Sequence, residues 1–524
     1  MKKVIVSGVR MPVRHTEEEL FEKVSRSLKK NGVSCGDMMI QKKSLDARRK
    51  SDIHFLYSVV AEADSNRDCV SDPNIRFFED EPPIRLDALK ENAGKKKRVV
   101  VVGSGPCGLF AAYVLAYCGM EVAVLERGSD VDRRTEKVET FWKTGKLDEN
   151  TNIQFGEGGA GTFSDGKLNT RIGDSLQRFV LETFVKCGAP KDILYQAKPH
   201  IGTDFLKICV KNLRREIERM GGRVLFDTCM TDILIKDGII SGIEINGASQ
   251  MDCDALVLAP GHSSRDTYEM LYRRGVALEQ KPFAAGVRVE HSREFVNRCQ
   301  YGDFSDAGYL PTADYRLAYN GENRSCYSFC MCPGGTVVNA SSEVGHLVVN
   351  GMSCHDRMAD NSNSALVVSV RPEDFDGNSP LAGVEFQRKY EALAYKIGNG
   401  RGPVQLVEDF LKNRVSSRFD GVFPSFTGET VFADLRECLP GFVAETLKDG
   451  IVDFDKKMKG FSGNGSILTG IEMRTSAPLR IRRDENFESI SHKGLFPAGE
   501  GAGYAGGIMS AAVDGIKVAV SILK

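Results

Sequence analysis

The sequence is poor in the features that mark membrane, secreted and nucleic-acid-binding proteins. Its 70 Lys and Arg residues are balanced by 71 Asp and Glu residues, and a net charge of −1 gives no overall field that would attract nucleic acid or an anionic membrane. No run of about 20 apolar residues occurs, so we expect no transmembrane helix. The N-terminal apolar run Val4-Ile5-Val6 is shorter than the roughly 7–15 residues of a secretion signal. We therefore expect a cytoplasmic protein without a membrane or nucleic-acid partner.

The 14 cysteines form no Cys-x-x-Cys pair, which is the usual spacing of zinc and thiol-redox motifs. Scattered cysteines such as Cys118 and Cys209 are typical of buried thiols in a reducing compartment. Cys326, Cys330 and Cys332 form one close group. This group is interpreted as structural thiols, as a loop that contacts substrate or, with a fourth ligand that the sequence does not supply, as an iron–sulfur site. We predict no metal site.

One stretch has the start of a dinucleotide-binding unit. The valines from Val99 to Val102 predict a strand buried on both faces, and a small-residue helix is predicted from Pro106 to Cys118. In the turn between them, Gly103 allows a sharp change of direction, and Gly105 lets a pyrophosphate approach the N–H groups of the helix start. Gly108 allows the helix to pack closely on the strand.

A second predicted strand, Glu121 to Leu125, completes the unit and ends at Glu126. A carboxylate in that position accepts a hydrogen bond from a ribose 2′-OH and repels a 2′-phosphate, which argues against NADP in this site. The same GxGxxG spacing recurs at Gly156 and Gly501, but neither is followed by a helix, a strand and an acid. The predicted contacts of this unit with the nucleotide are Gly103, Ser104, Gly105, Pro106, Gly108, Glu126 and Arg127.

Three further segments resemble flavoproteins of the glutathione-reductase-like class. They are GLFPAGEGAGYAGG at 494 to 507, Ala259-Pro260-Gly261 at the end of a buried strand, and GEGGAGTFSDGKLNTR at 156 to 171. Together with SFCMCPGG and EMRTSAPLR, they are similar to a bacterial family of uncharacterised FAD-dependent dehydrogenases. The resemblance implies non-covalent FAD, with Glu500 near the ribityl chain and a helix from Gly507 directed at the flavin. The further implied cofactor contacts are Gly159, Lys167, Met230, Gly261, Gly499, Glu500, Gly506, Gly507 and Ile508.

The chain is predicted to have an α/β fold in four parts. Residues 1–90 form a small N-terminal α+β domain with a ferredoxin-like topology, and few contacts are expected between it and the rest of the chain. Residues 95–286 and 476–524 form a discontinuous Rossmann-type FAD-binding domain. Residues 287–475 form an inserted α+β substrate or cap domain. Thr16 with Glu19 is a capping box that predicts a helix start in the N-terminal part.

These motifs identify the cofactor but not the substrate or the reaction. The leading hypothesis is an oxidoreductase that exchanges hydride between FAD and a small molecule. The alternative is a flavoprotein with a macromolecular partner, either an RNA-modifying enzyme or a redox sensor that docks through its N-terminal domain. The candidate catalytic residues are Lys167, His262 and Arg474. NAD(P)H is expected at most as a transient reductant, because no second complete dinucleotide unit is present, and the oligomeric state is not predicted.

Overall fold

The computed structural model describes residues 2–64, 72–79, 84–169, 174–305 and 308–524. The fold is a mixture of helices and sheets arranged in an N-terminal module, a central parallel sheet and an inserted antiparallel sheet. No helix among these described residues is long and apolar enough to cross a membrane.

The N-terminal module is a four-stranded antiparallel sheet with the order β2-β3-β1-β4. Its elements are β1 Lys2–Pro12, α1 Glu17–Lys30, β2 Ser34–Asp46, β3 His54–Asp64 and β4 Ile75–Phe78. The predicted capping box is present, because Thr16 and Glu19 exchange side-chain to backbone hydrogen bonds at the start of α1. The strand order and the β1-α1-β2 crossover agree with the predicted α+β domain. A ferredoxin-like fold adds a helix between β3 and β4, and residues 65–71 of that connection lie outside the described residues.

This module is packed against the rest of the chain. The backbone of Lys43 in β2 makes two hydrogen bonds to the central domain. Its N–H donates to the Tyr195 carbonyl oxygen at 2.7 Å, and its carbonyl oxygen accepts from the Ala197 N–H at 2.8 Å. Ile53 is 5% exposed and belongs to the core of the inserted domain. The expectation that few contacts would cross from this module is therefore wrong.

The central domain is built on a five-stranded parallel sheet with the order β23-β11-β5-β6-β7. The elements from the linker to the insertion are α2 Leu86–Glu91, β5 Arg98–Val102, α3 Pro106–Tyr117, β6 Glu121–Leu125, α4 Val131–Thr144, α5 Leu176–Lys186, α6 Thr203–Arg219, β7 Arg223–Leu225, β8 Met230–Lys236, β9 Ile239–Ile245, β10 Ser249–Asp252, β11 Ala255–Leu258, α7 Arg265–Arg273 and β12 Leu278–Gln280. The four valines of β5 are all buried, as a strand covered on both faces requires. The predicted strand, turn, helix and strand from 99 to 125 are confirmed.

The inserted domain is a seven-stranded sheet with the order β14-β15-β18-β13-β21-β19-β20. Its elements are β13 Phe283–Ser292, α8 Arg293–Tyr301, β14 Ala318–Asn320, β15 Ser325–Cys332, β16 Thr336–Asn339, β17 Val349–Met352, β18 Asn361–Val370, α9 Ala382–Gly398, β19 Gly402–Leu406, α10 Val407–Leu411, β20 Thr430–Phe432, α11 Gly441–Lys457 and β21 Ile467–Glu472. Strand β13 pairs with β18 over its whole length, from Phe283 to Ser292. The boundary between 286 and 287 falls inside this strand, so the sheet begins a few residues earlier than the predicted domain.

The chain then returns to the central domain. Its last elements are β22 Leu479–Ile481, β23 Leu495–Pro497 and α12 Ile508–Leu523. Strand β23 joins the edge of the parallel sheet beside β11, and α12 packs on α3 through buried residues such as Gly515, where a Cβ would collide with the carbonyl oxygen of Cys107. Segments far apart in the sequence thus meet at one edge of the sheet.

Candidate functional site

Two helices begin side by side at the segment that carries the GEGGAG sequence. A Cβ added to Gly161 would lie 3.2 Å from Cγ1 of Ile508, the first residue of α12, and 3.8 Å from Cγ of Pro106, the first residue of α3. The N-cap residues of the two helices are Gly105 and Gly507, so neither N-terminus is capped by a side chain. Both helix ends therefore offer free N–H groups and a positive dipole to an anionic ligand.

Glycines allow close backbone packing beside these helix ends. Gly103 has φ of +97°, and a Cβ there would collide with the carbonyl oxygen of Ala259. Gly159 lies so close to Gly105 that its Cβ would be 3.1 Å from the Gly105 Cα atom. A side chain at either position would collide with neighbouring backbone beside the start of α3. Gly103, Ser104, Gly105 and Gly159 thus lie close together, and their contacts with the cofactor stay predictions.

Glu126 has a different environment from the one predicted. Its Oε2 atom accepts from Ser104 N at 2.9 Å and from Ser104 Oγ at 2.7 Å, and its Oε1 atom accepts from Gly128 N at 3.0 Å and from Gly156 N at 2.9 Å. Four hydrogen bonds are about the capacity of a carboxylate. Glu126 therefore joins the glycine-rich turn, the end of β6 and the GEGGAG segment, and a ribose hydroxyl would have to share or replace one of these bonds.

Arg127 and the chain segment just before Met230 lie close to Glu126. The Arg127 guanidinium donates to both carboxylate oxygens of Asp266 at 2.9 and 2.8 Å. The Met230 side chain is 4% exposed and lies in the core. The backbone two residues before it contacts Glu126, where Thr228 N donates to the Glu126 carbonyl oxygen at 2.9 Å. Any role of this segment in nucleotide binding therefore belongs to its backbone, and both residues' cofactor contacts stay predictions.

The GLFPAGE segment is held in place from α12. The Gly499 N–H donates to Asp514 Oδ2 at 2.7 Å, and Asp514 is also paired with Arg483. Glu500 follows at a half-buried position, where burial raises the pKa of its carboxyl to about 7 although the Lys281 ammonium opposes this shift. Near neutral pH, Glu500 can therefore either donate or accept a hydrogen bond.

Arg474 lies in a buried interdomain ion-pair network. It is 5% exposed, and its Nε and Nη2 atoms donate to the two carboxylate oxygens of Glu391 at 2.8 and 2.7 Å. Arg265 of α7 donates to the same carboxylate at 2.7 and 3.0 Å. Burial would raise the pKa of Glu391, but Arg265 and Arg474 lower it to about 2. Because Arg474 Nη1 also donates to Ser342 Oγ at 2.5 Å, all three nitrogens are used by the protein, and the geometry matches an interdomain salt bridge rather than a substrate anchor.

His262 lies at the edge of this network. Its Nδ1 atom is 3.0 Å from Ser263 Oγ. Burial, together with the nearby Arg474 and Arg265 guanidinium groups, lowers the pKa of His262 to about 4. The ring is therefore neutral at physiological pH. A catalytic role for His262 stays a prediction.

Lys167 belongs to a second cluster, where the central domain meets the inserted domain. Asp165 is 3% exposed and accepts from Arg357 Nε at 3.0 Å and Arg357 Nη2 at 2.6 Å, and Ser353 Oγ also bonds to it. The Lys167 Nζ atom lies 3.7 Å from Asp165 Oδ2. Burial would raise the pKa of Asp165, but Lys167 and Arg357 lower it to about 2. Lys167 also lies close enough to the Cys330 bulge of β15 for its charge to act on the Cys330 thiol, and we call the region around these two residues the Lys167 cleft.

The opposite wall of the cleft is organised by Arg288. This side chain is fully buried and donates to Glu472 Oε2 at 2.8 Å, Asn363 Oδ1 at 2.6 Å and Asn350 Oδ1 at 3.0 Å. Its Nη1 atom also donates to the carbonyl oxygen of Cys330 at 3.3 Å. Cys330 has φ of +41° at a break in the β15–β18 register, so the network holds a strained residue at the cleft.

The three grouped cysteines have separate surroundings. Cys326 is buried under α11, where a Cβ at Gly450 would be 2.7 Å from its Sγ atom. Cys332 is buried 3.9 Å from the Arg288 guanidinium. Cys330 is reached by solvent, yet desolvation by the cleft walls raises the pKa of its thiol to about 12 against the opposing charge of Lys167. This separation favours structural thiols at 326 and 332 and a cleft-lining residue at 330.

Sequence reasoning missed most of the polar residues of the two clusters. Arg288 and Glu472 each stand in a buried strand that is otherwise mainly apolar, and Glu391 lies on the buried face of α9. A charged residue inside such a pattern indicates a buried ion pair, because an unpaired charge there is very costly. The sequence alone does not show which strand or helix supplies the partner.

Matches to known families follow the same division of the chain. Residues 282–475 match the model of the family described as "FAD-dependent protein, C-terminal domain-like", residues 96–140 match an FAD binding domain, and residues 1–62 match a domain of unknown function. An uncharacterised protein of Clostridium beijerinckii is 53% identical over 514 residues, which cover 96% of each chain.

Two solved flavoprotein structures show weaker likeness. The structure of CtdE in complex with FAD matches with a TM-score of 0.35 and 11% identity, over 81% of this chain and 84% of that chain. The flavin-dependent brominase Bmp2 matches with a TM-score of 0.36 and 13% identity, over 82% of this chain and 79% of that chain.

Proposed function

The chain belongs to a family of FAD-dependent proteins, and from this premise we propose that it is a dehydrogenase that exchanges hydride between FAD and an unidentified small molecule. FAD is the cofactor, and it supplies the hydride-transfer chemistry when bound. We further propose that its FAD-binding domain is of the Rossmann type and belongs to the glutathione-reductase-like class.

The convergence of α3 and α12 at Gly161 is the observation that carries the proposal. An extended dinucleotide with a pyrophosphate near one end and a redox ring at the other needs two electropositive backbone sites in one groove. The turn from Gly103 to Gly108 would hold the pyrophosphate, and the N-terminus of α12 would stabilise negative charge on the reduced ring. Glu500 would orient the ribityl chain from the loop that Asp514 fixes.

The Lys167 cleft supports a small molecule as the substrate. It lies between two domains, combines a few converging polar groups with buried walls, and contains a strained Cys330. Its lining differs from the Arg474 network, in which Arg474 and Arg265 both pair with the Glu391 carboxylate. Within this proposal NAD(P)H acts at most as a transient reductant, and the protein works in the cytoplasm.

Anaerobic titration of the purified protein with a panel of metabolites tests the proposal. At least one metabolite should bleach the oxidised flavin absorption, and an added electron acceptor should restore it. Dithionite and oxygen serve as controls that the flavin can be reduced and reoxidised. If these controls work but no metabolite reduces or reoxidises the flavin, the result would argue against a dehydrogenase. Nucleic acid that copurifies with the protein, seen in the ultraviolet absorbance ratio after correction for FAD, would favour the macromolecular alternative.

A further inference from the structure

Lys167 is the cation of the cleft that the protein engages least. Arg288 is fully buried and bonded to a carboxylate and two amide oxygens, and Arg357 holds both oxygens of Asp165. The Lys167 ammonium has only the ion pair of 3.7 Å with Asp165, and among the described residues it has no hydrogen-bond acceptor. Its side chain is 31% exposed, so the ammonium is open to a ligand.

The cleft carries one positive charge without a counterpart. Lys167 and Arg357 contribute two positive charges and share the single negative charge of Asp165, which leaves a net charge of +1. Arg288 is neutralised by Glu472. A partly buried charge without a counter-ion is unfavourable, so this arrangement favours a ligand with one negative charge.

The neighbouring neutral groups do not supply that charge. His200 shares an isolated backbone bridge with Lys167, and burial and the Arg357 guanidinium lower the pKa of its ring to about 4. Desolvation raises the pKa of the Cys330 thiol to about 12. Both side chains are therefore uncharged at neutral pH.

The cluster is fixed before any ligand arrives. Ser353 Oγ bonds to Asp165, and Thr312 Oγ1 donates to the Arg357 carbonyl oxygen at 2.9 Å. Arg357 itself has φ of +55°, a conformation that its neighbours must hold in place. The Asp165 carboxylate that pairs with Lys167 is thus held in place, and little of this surrounding cluster has to be ordered when a ligand binds.

The chain on either side of the cluster approaches the first turn of α12. A Cβ added to Gly161 would lie 3.2 Å from Cγ1 of Ile508, and Leu168, which follows Lys167, lines one cavity together with Met509. In the proposed function the N-terminus of α12 stabilises the negative charge of the reduced flavin, so the Lys167 ammonium is assigned to a different anion.

We propose that Lys167 binds the carboxylate of an anionic substrate, so that this protein acts on small carboxylic acids. The proposal rests on the proposed function and names its substrate class. The carboxylate would meet the Lys167 ammonium, while Arg357 and Asp165 position that ammonium without contacting the substrate's reacting atoms.

Titration of the FAD-loaded protein with benzoate tests the site. Benzoate should perturb the oxidised flavin spectrum in a saturable way at constant ionic strength, and benzamide, its neutral isostere, should not. K167Q should keep its FAD and bind benzoate roughly 10-fold or more weakly, because a hydrogen bond to a charged group is lost. K167R should retain most of the response. K146Q, which removes an exposed loop lysine of the same domain, should behave as the wild type.

Several results would overturn the proposal. Equal benzoate binding by K167Q and the wild type would place the carboxylate elsewhere, and loss of FAD from K167Q would make Lys167 a cofactor ligand. Absence of any spectral response of the wild type to benzoate, acetate and pyruvate would remove the anion site altogether. The benzoate response reports binding without turnover, so it tests the anion site separately from the dehydrogenase proposal. Benzoate binding can be absent although a metabolite bleaches the flavin, and it can be present although no metabolite does.

Discussion

At the scale of single residues, the sequence predicts the position of Glu126 but not the hydrogen bonds that it makes. The strand and the 23-residue spacing from Gly103 place an acid at the end of β6, and the structure has it there. Its four protein hydrogen bonds could not be predicted, because two of the donors come from Gly128 and Gly156 in loops without a regular pattern.

We predict that Glu126→Gln destabilises the protein even without FAD. The amide would present N–H groups to buried N–H donors, and leaving such donors unsatisfied costs about 1–3 kcal/mol. Thermal unfolding of the apoprotein should therefore occur at a lower temperature than for the wild type. Glu121→Gln, at the exposed start of β6, serves as the control. Unchanged apoprotein stability together with weaker FAD binding would instead make Glu126 a pure ribose ligand.

Glu500 gives a prediction about pH. Burial raises the pKa of its carboxyl in the folded protein to about 7, above its ordinary value of 4.5, so folding favours the protonated form. Its stabilising contribution is complete below about pH 4.5 and is lost as the pH rises through 7. The difference in unfolding free energy between wild type and Glu500→Gln should therefore change by about 1–3 kcal/mol across this range. Parallel pH profiles of the two apoproteins would exclude the shift.

At the scale of elements, the sequence predicts what short-range patterns control. The valine strand, the helix from Pro106 and the capping box at Thr16 are all present in the structure. The contacts between elements distant in the chain were not predictable. Arg474 stands before a domain junction as expected, but its partner Glu391 is on α9, 83 residues away.

The link between α7, α9 and the end of β21 therefore has a structural role that can be measured. Arg474→Met leaves Glu391 with Arg265 alone and removes one member of a buried ion pair, a change that typically costs up to about 3–5 kcal/mol. We expect a lower melting temperature with the flavin spectrum and the benzoate response kept. Arg482→Met, at an exposed position, should have little effect. A stable Arg474→Met protein that has lost the benzoate response would return Arg474 to the substrate site.

At the scale of the whole molecule, the N-terminal module is more closely integrated than its separate sequence character suggests. We predict that a chain beginning at Gly94 is less stable than the full chain, because Ile53 and the Lys43 backbone bonds are lost. Exposing the surface that one buried Ile covers costs about 1.5–3 kcal/mol. Thermal melts of the two proteins test this. Equal melting temperatures and equal FAD content would show that the module is an independent appendage.

The central claim is that one chain binds one FAD, non-covalently, in the groove where α3 and α12 begin. Acid precipitation of the purified protein, followed by chromatographic identification of the released flavin, tests it most directly. We expect a colourless pellet and one FAD per chain in the supernatant. A yellow pellet would show covalent attachment, and FMN or no flavin in the supernatant would contradict a site built for a dinucleotide.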